Sequence, residues 1–150
     1  MWFKKRKDKK EKFPTKAISL EEVRSAIHTY SKDLPPNIPL KILIQDDLSL
    51  DYTLLAPILK AIPEKNYYMS KETYDLFEEE DKHIAHALDQ VQQAVDQYIA
   101  QTKELPVIDH DPYRKVNFFK LEQLNLINER PEMDFYITDQ EQLVTTEKPK

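Results

Sequence analysis

The chain has 150 residues, 40% of them hydrophobic and 33% charged, with a formal net charge of −5 and neither cysteine nor glycine. Without cysteine there is no disulfide framework, thiolate nucleophile or thiolate metal site, which suits a reducing compartment. Without glycine, phosphate-cradling loops, dinucleotide fingerprints and the strained serine elbow of hydrolases are excluded, because each needs backbone freedom that a Cβ removes. A nucleotide enzyme is therefore not expected.

The charge is unevenly placed. Met1–Lys16 holds eight Lys or Arg against Asp8 and Glu11, a net of +6, whereas residues 17–150 carry −11. The expectation is a flexible basic arm over 1–16 and a single globular domain over 17–147. The arm combines the cations Lys4, Lys5, Arg6, Lys7, Lys9 and Lys10 with the aromatics Trp2 and Phe3. Each Lys or Arg near an anionic bilayer contributes about 1 kcal/mol, and Trp favours the interface. Nucleic acid would attract the same charges through counterion release. A solvated tail is the plain alternative. No apolar stretch follows the basic start, so it does not read as a signal peptide. No run approaches the roughly 18–20 apolar residues of a membrane-spanning helix. The expected address is the cytoplasm, peripheral to the inner membrane face.

Ser19 and Glu22 have capping-box spacing, and Leu20, Val23, Ile27 and Tyr30 then recur at helical intervals to about Lys32. Asp33–Pro39 is a rigid loop. Leu40–Gln45 predicts a buried strand, and Leu50, Leu54, Leu55, Ile58, Leu59 and Ile62 fit a helix containing Pro57. Asn66–Met69 reads as a strand, with Ser70 a cap for the element after it. The longest helix runs from about Glu78, or earlier from near Lys71, to Thr102, with Ile84, Leu88, Val91, Val95, Tyr98 and Ile99 on one stripe. Leu105–Tyr113 is a loop or short strand, and Val116–Ile127 a helix. Phe135–Thr138 and Leu143–Thr146 form two strands around Asp139–Gln142. No internal repeat stands out. The fold class is α/β or α+β: a small sheet packed against a long central helix, with a parallel βαβ unit at 40–69.

Candidate chemistry is sparse. His83 and His86 lie three apart, with Glu79 and Asp89 one turn to either side, a spacing able to seat a divalent metal. They also belong to a polar flank that faces water. Asp109–His110–Asp111 is a looser version. Neither group has a nucleophile partner, so no catalytic residue, small-molecule substrate or hydrolytic triad is expected, and the balance leans against an enzyme.

Leu40–Leu59 (LKILIQDDLSLDYTLLAPIL) resembles the opening of a response-regulator receiver domain, where paired acids after a buried strand hold Mg²⁺. The resemblance implies Mg²⁺-dependent phosphoryl handling at Asp46 and Asp47, with Asp51 beside them. It ends there, since no second strand closes on a phosphoacceptor Asp and no later strand ends in Lys. Acidic pairs are also common loop and helix-start residues. Val116–Thr138 resembles the last helix and wing of a winged-helix domain, but Glu129, Glu132, Asp134, Asp139 and Glu141 would turn carboxylates toward phosphates. Together with Ala94–Pro106 the same stretch looks like the helix, Pro turn and sheet of a pilin-like subunit, without that family's apolar N-terminal helix. The whole chain resembles short uncharacterised proteins of Bacillus-type bacteria. That resemblance rests on Met1–Lys5, on Tyr68–Thr73, on Val91–Tyr98 and on Glu129–Thr138. It implies a cytoplasmic protein with a domain of unknown function. The functional expectation is a non-enzymatic binding or adaptor protein held at an anionic surface or by a protein partner.

Overall fold

The computed structural model describes residues 12–148; the predicted arm residues Trp2, Phe3, Lys4, Lys5, Arg6, Lys7, Lys9 and Lys10 lie outside them. The fold mixes helices with small sheets, as the sequence predicts. Two compact units are formed. One comprises residues 12–69 together with Asp75–Lys82, the other Ser70–Tyr74 together with residues 83–148.

In the first unit, β1 (Thr15–Lys16) leads to α1 (Leu20–Lys32), whose capping box at Ser19 and Glu22 forms as the spacing predicts. Val23, Ala26 and Ile27 are its buried face. The predicted strand Leu40–Gln45 is instead a 3-10 helix over Leu40–Leu43, with Ile42 amide on the Pro39 carbonyl and Ile44 amide on that of Lys41. A short apolar run does not by itself fix its period, and here only Leu43 and Ile44 are buried, leaving Ile42 49% exposed. Ile44 then bridges Leu50 antiparallel, and Ser49 bridges Tyr68. Next come α2 (Tyr52–Leu59, Pro57 within it), β2 (Ile62–Pro63), β3 (Tyr67–Met69) and β4 (Leu76–Glu78). Leu40–Leu43 is helical and Ser49 meets Tyr68 antiparallel, so the expected parallel βαβ unit is absent; the parallel pairing is that of β1 with β2.

The long helix α3 spans Lys82–Thr102 and follows a 3-10 turn at Glu79–Asp81. It starts no earlier, because Leu76–Glu78 is already spent as a strand. Ser70 caps a turn rather than a helix: its hydroxyl accepts the Glu72 and Thr73 amides. Within the second unit, Val107 bridges Val116 and Lys115 bridges Tyr136. The helix expected over Val116–Ile127 shrinks to α4 (Phe118–Gln123), because Val116 is extended and its amide bonds the Phe135 carbonyl at 2.8 Å. β5 (Tyr136–Ile137) and β6 (Val144–Thr145) close the predicted hairpin. The hairpin is tied to α3 by Gln92, a buried polar side chain. Its Oε1 accepts the Val144 amide at 2.8 Å while its Nε2 donates to the Gln142 carbonyl at 3.2 Å. This is the small sheet on a long helix that the sequence predicts.

The two units are built alike, a likeness the sequence pattern did not reveal. Val23, Ala26, Ile27 and Tyr30 of α1 recur as Val91, Ala94, Val95 and Tyr98 of α3, a step of 68 residues. The amide of Asp51 bonds the Leu43 carbonyl as that of Asn117 bonds Pro106. Leu50 bonds Tyr67 as Val116 bonds Phe135, and Met69 bonds Leu48 as Ile137 bonds Arg114. Asp51 and Asn117 are the side-chain N-caps of α2 and α4. Leu55 and Leu121 fill equivalent core positions, both fully buried. Each unit is thus a helix, two short antiparallel crossings, a capped short helix, and a hairpin.

Even the backbone strain repeats. Leu48 (φ 73°) of the first unit matches Arg114 (φ 58°) of the second. These left-handed positions are where glycine is favoured, and a side chain there costs about 1–2 kcal/mol. Nine described residues adopt positive φ, among them Lys103, which ends α3 with its amide on the Ile99 carbonyl at 2.8 Å. Replacing the exposed Lys103 with glycine, K103G, is expected to stabilise the protein by about 1 kcal/mol and raise the melting midpoint by roughly 2–4 °C. Gln92→Ala is expected to cost about 2–3 kcal/mol, because the buried Val144 amide loses its acceptor. Thermal and urea unfolding of the two variants check both values.

Candidate functional site

The predicted acids lie in the first unit, at a hairpin. Asp46 and Asp47 are the tip of a tight turn closed by the Leu48 amide on the Gln45 carbonyl and the Gln45 amide on that of Ser49, both at 2.8 Å. They sit in a turn rather than at a strand's end. Leu48 occupies the left-handed position after the turn, the place of a glycine bulge in a three-residue hairpin loop. Asp47 Oδ1 accepts the Ser49 amide and hydroxyl. Asp51 Oδ1 caps α2, accepting the Thr53 amide at 3.1 Å and hydroxyl at 2.6 Å. Among the described residues, no group of three or more His, Asp or Glu side chains is arranged to hold a metal ion.

Asp51 nevertheless borders a cleft of about 520 Å³. Its apolar wall includes Phe13, Pro57 and Ile62, and its polar rim includes Gln45, Thr53 and Asn66. Phe13 reaches it because the chain is fastened just behind. The Ile62 amide donates to the Pro14 carbonyl at 2.8 Å, and the Glu64 amide to that of Lys16 at 2.9 Å. The cleft floor is held by Tyr52, whose hydroxyl donates to the Lys65 carbonyl at 2.8 Å and accepts the Tyr67 amide at 2.9 Å. Burial pushes this hydroxyl up from 10.0 to about 12.

The predicted histidine pair lies in the second unit. His83 and His86 line a cleft of about 510 Å³ with Gln90 and the segment Glu129–Met133. Asp89, a predicted metal neighbour, is engaged elsewhere, because its carboxylate accepts the Ser70 hydroxyl and the Lys71 and Glu72 amides. Arg130 binds Glu122 through two parallel bonds, Nε to Oε2 at 2.7 Å and Nη2 to Oε1 at 2.8 Å. That hydrogen bond holds the Glu122 carboxyl below, and the Arg130 guanidinium above, their usual ranges. Asp109–His110–Asp111 forms a surface turn in which Asp109 pairs with Lys120 at 3.6 Å and Asp111 accepts the Tyr113 amide. The roles of Gln92, Asp89, Tyr52 and the Arg130–Glu122 pair are not evident from the sequence. The recurring Val–Ala–Ile/Val–Tyr spacing is the one signal that points to the Asp89–Tyr98 stretch.

The raised Tyr52 value carries a linkage. A proton held more tightly in the folded than in the unfolded chain gives stability that is complete below pH 10 and lost as pH rises toward 12. In an alkaline spectrophotometric titration, Tyr52 is expected to ionise near pH 12. That late step should vanish in Tyr52→Phe, which should also unfold at lower urea because the Tyr67 amide loses its acceptor.

The family model described as "Protein of unknown function (DUF3939)" matches residues 13–146. No curated protein and no solved structure matches the chain.

Proposed function

The chain belongs to the DUF3939 family of proteins of unknown function, and on that premise we propose that it is a non-enzymatic adaptor whose basic N-terminal segment attaches it to an anionic membrane surface on the cytoplasmic side. The observation that carries this reading is the division of charge, +6 over residues 1–16 against −11 over the remainder. Two further observations support it. The family match begins at Phe13, so Trp2, Phe3 and the cations from Lys4 to Lys10 precede the family domain. The segment also has a fixed root, because Pro14 and Lys16 are hydrogen-bonded to Ile62 and Glu64. A positive segment ahead of the family domain offsets the repulsion that an anionic surface exerts on an acidic body. Among the described residues no helix is long and apolar enough to cross a membrane, so attachment by this route would be peripheral.

At about 1 kcal/mol per cation near the surface, six net charges give firm but salt-sensitive binding. The full chain is expected to co-sediment with phosphatidylserine-containing vesicles, but not with neutral ones, at low salt. A chain starting at Lys12 keeps the Pro14–Lys16 pairing and should lose at least tenfold in partitioning. Equal partitioning of both chains would remove the membrane reading. Tighter binding to duplex DNA or RNA than to vesicles at the same salt would replace it with a nucleic-acid one.

A further inference from the structure

The two units differ along one segment, which forms a strand in the first unit and none in the second. Pro63 and Glu64 of the first unit correspond to Pro131 and Glu132 of the second, with Asn128 and Glu129 as two extra residues before them. In the first unit the edge of that strand is occupied: β1 lies parallel to β2, with Thr15 opposite Ile62 and Lys16 opposite Pro63. The amides of Ile62 and Glu64 are satisfied by the carbonyls of Pro14 and Lys16. In the second unit the equivalent amides, those of Arg130 and Glu132, make no hydrogen bond among the described residues. Both residues are exposed, and alongside them opens the cleft of about 510 Å³ walled by His83, His86 and Gln90 of α3. Ala17–Leu20 and Glu64–Lys65 line a smaller concavity at the matching place in the first unit.

An exposed edge with unpaired N–H groups is a template for another strand. Recognition by strand addition takes its affinity from such main-chain bonds and its selectivity from alternate side chains entering neighbouring pockets. We propose that the Arg130–Glu132 edge is the docking site for an extended, basic peptide segment of a partner protein. The segment adds parallel to this edge, as Pro14–Lys16 adds to Ile62–Glu64, and its carbonyls accept the Arg130 and Glu132 amides. The edge is pre-set for this role, because the doubly bonded Arg130–Glu122 pair fixes the chain at Arg130. The basic preference follows from Glu129 and Glu132, exposed carboxylates that border the cleft, while the guanidinium of Arg130 is engaged by Glu122. Side-chain size follows from the occupied edge, which accepts a Phe-Pro-Thr-Lys sequence.

The test uses the full chain, ¹⁵N-labelled and free of lipid, so that failure of membrane attachment and failure of this proposal remain separate. The probe is a synthetic peptide copying residues 12–18, Lys-Phe-Pro-Thr-Lys-Ala-Ile. Saturable shifts centred on the Arg130 and Glu132 amides are expected, with slowed hydrogen exchange there. Methylating the peptide nitrogen that corresponds to Lys16 removes the donor a parallel ladder places on the facing carbonyl, and Glu132→Pro removes a protein donor; each should weaken binding about tenfold. Glu129→Gln with Glu132→Gln keeps both amides and should weaken it a few-fold, with the loss disappearing at high salt. The proposal is overturned by shifts at Ile62 and Glu64 instead, which would mean exchange with β1, or by no shifts at millimolar peptide. It is equally overturned if the chain alone sediments as a dimer with the Arg130 and Glu132 amides already protected, which would make a second copy the occupant.

Discussion

Strands of two and three residues do not hold a sheet together by backbone pairing alone, so each unit depends on a polar side chain that spans the gap. In the first unit it is Tyr52, whose hydroxyl closes the Lys65 carbonyl and the Tyr67 amide at once. In the second it is Gln92, which serves Gln142 and Val144. Each is a donor and an acceptor on one rigid group, placed on a helix and aimed at a strand or its approach. The favourable energy per bond is modest, but the cost of leaving a buried amide unpaired is larger, so these contacts fix register more than they add stability.

The repeated architecture accommodates an unusual composition. A glycine-free chain still has to turn, and it does so with side-chain-bearing residues at left-handed positions, one of which recurs at the equivalent place in both units. Asp47 offsets some of this cost by accepting the amide and hydroxyl of Ser49, and Ser70 does so by accepting the amides of Glu72 and Thr73. The equivalent helices α1 and α3 bury the same Val–Ala–Ile/Val face although the rest of their surfaces diverges, as expected where packing constrains one stripe and water the other.

Against that common frame, the departures are informative about function. The first unit carries an N-terminal strand, a basic segment before it and a cleft beside Phe13; the second carries a longer helix, an inserted pair of residues and a cleft beside Arg130 and Glu132. The proposed membrane attachment and the proposed peptide docking each draw on one of these departures, and neither needs the glycine loops or thiolates that the composition lacks.

Much of the local structure was legible. The capping box at Ser19, the long amphipathic helix, the hairpin at Phe135–Thr146 and the charge division all follow from residue types and their spacing along the chain. The failures have one cause. Leu40–Gln45 looked like a strand, Val116–Ile127 like a long helix and Asp46–Asp47 like the end of a parallel strand, because short apolar runs leave period and partner undetermined. Which carbonyl meets which amide is set by residues far away along the chain. Tertiary structure alone therefore decided that two dissimilar halves share one design, that Gln92 belongs inside, and that the Arg130–Glu132 edge stays open. Periodicity is written along a chain, whereas pairing and burial exist only once distant segments meet.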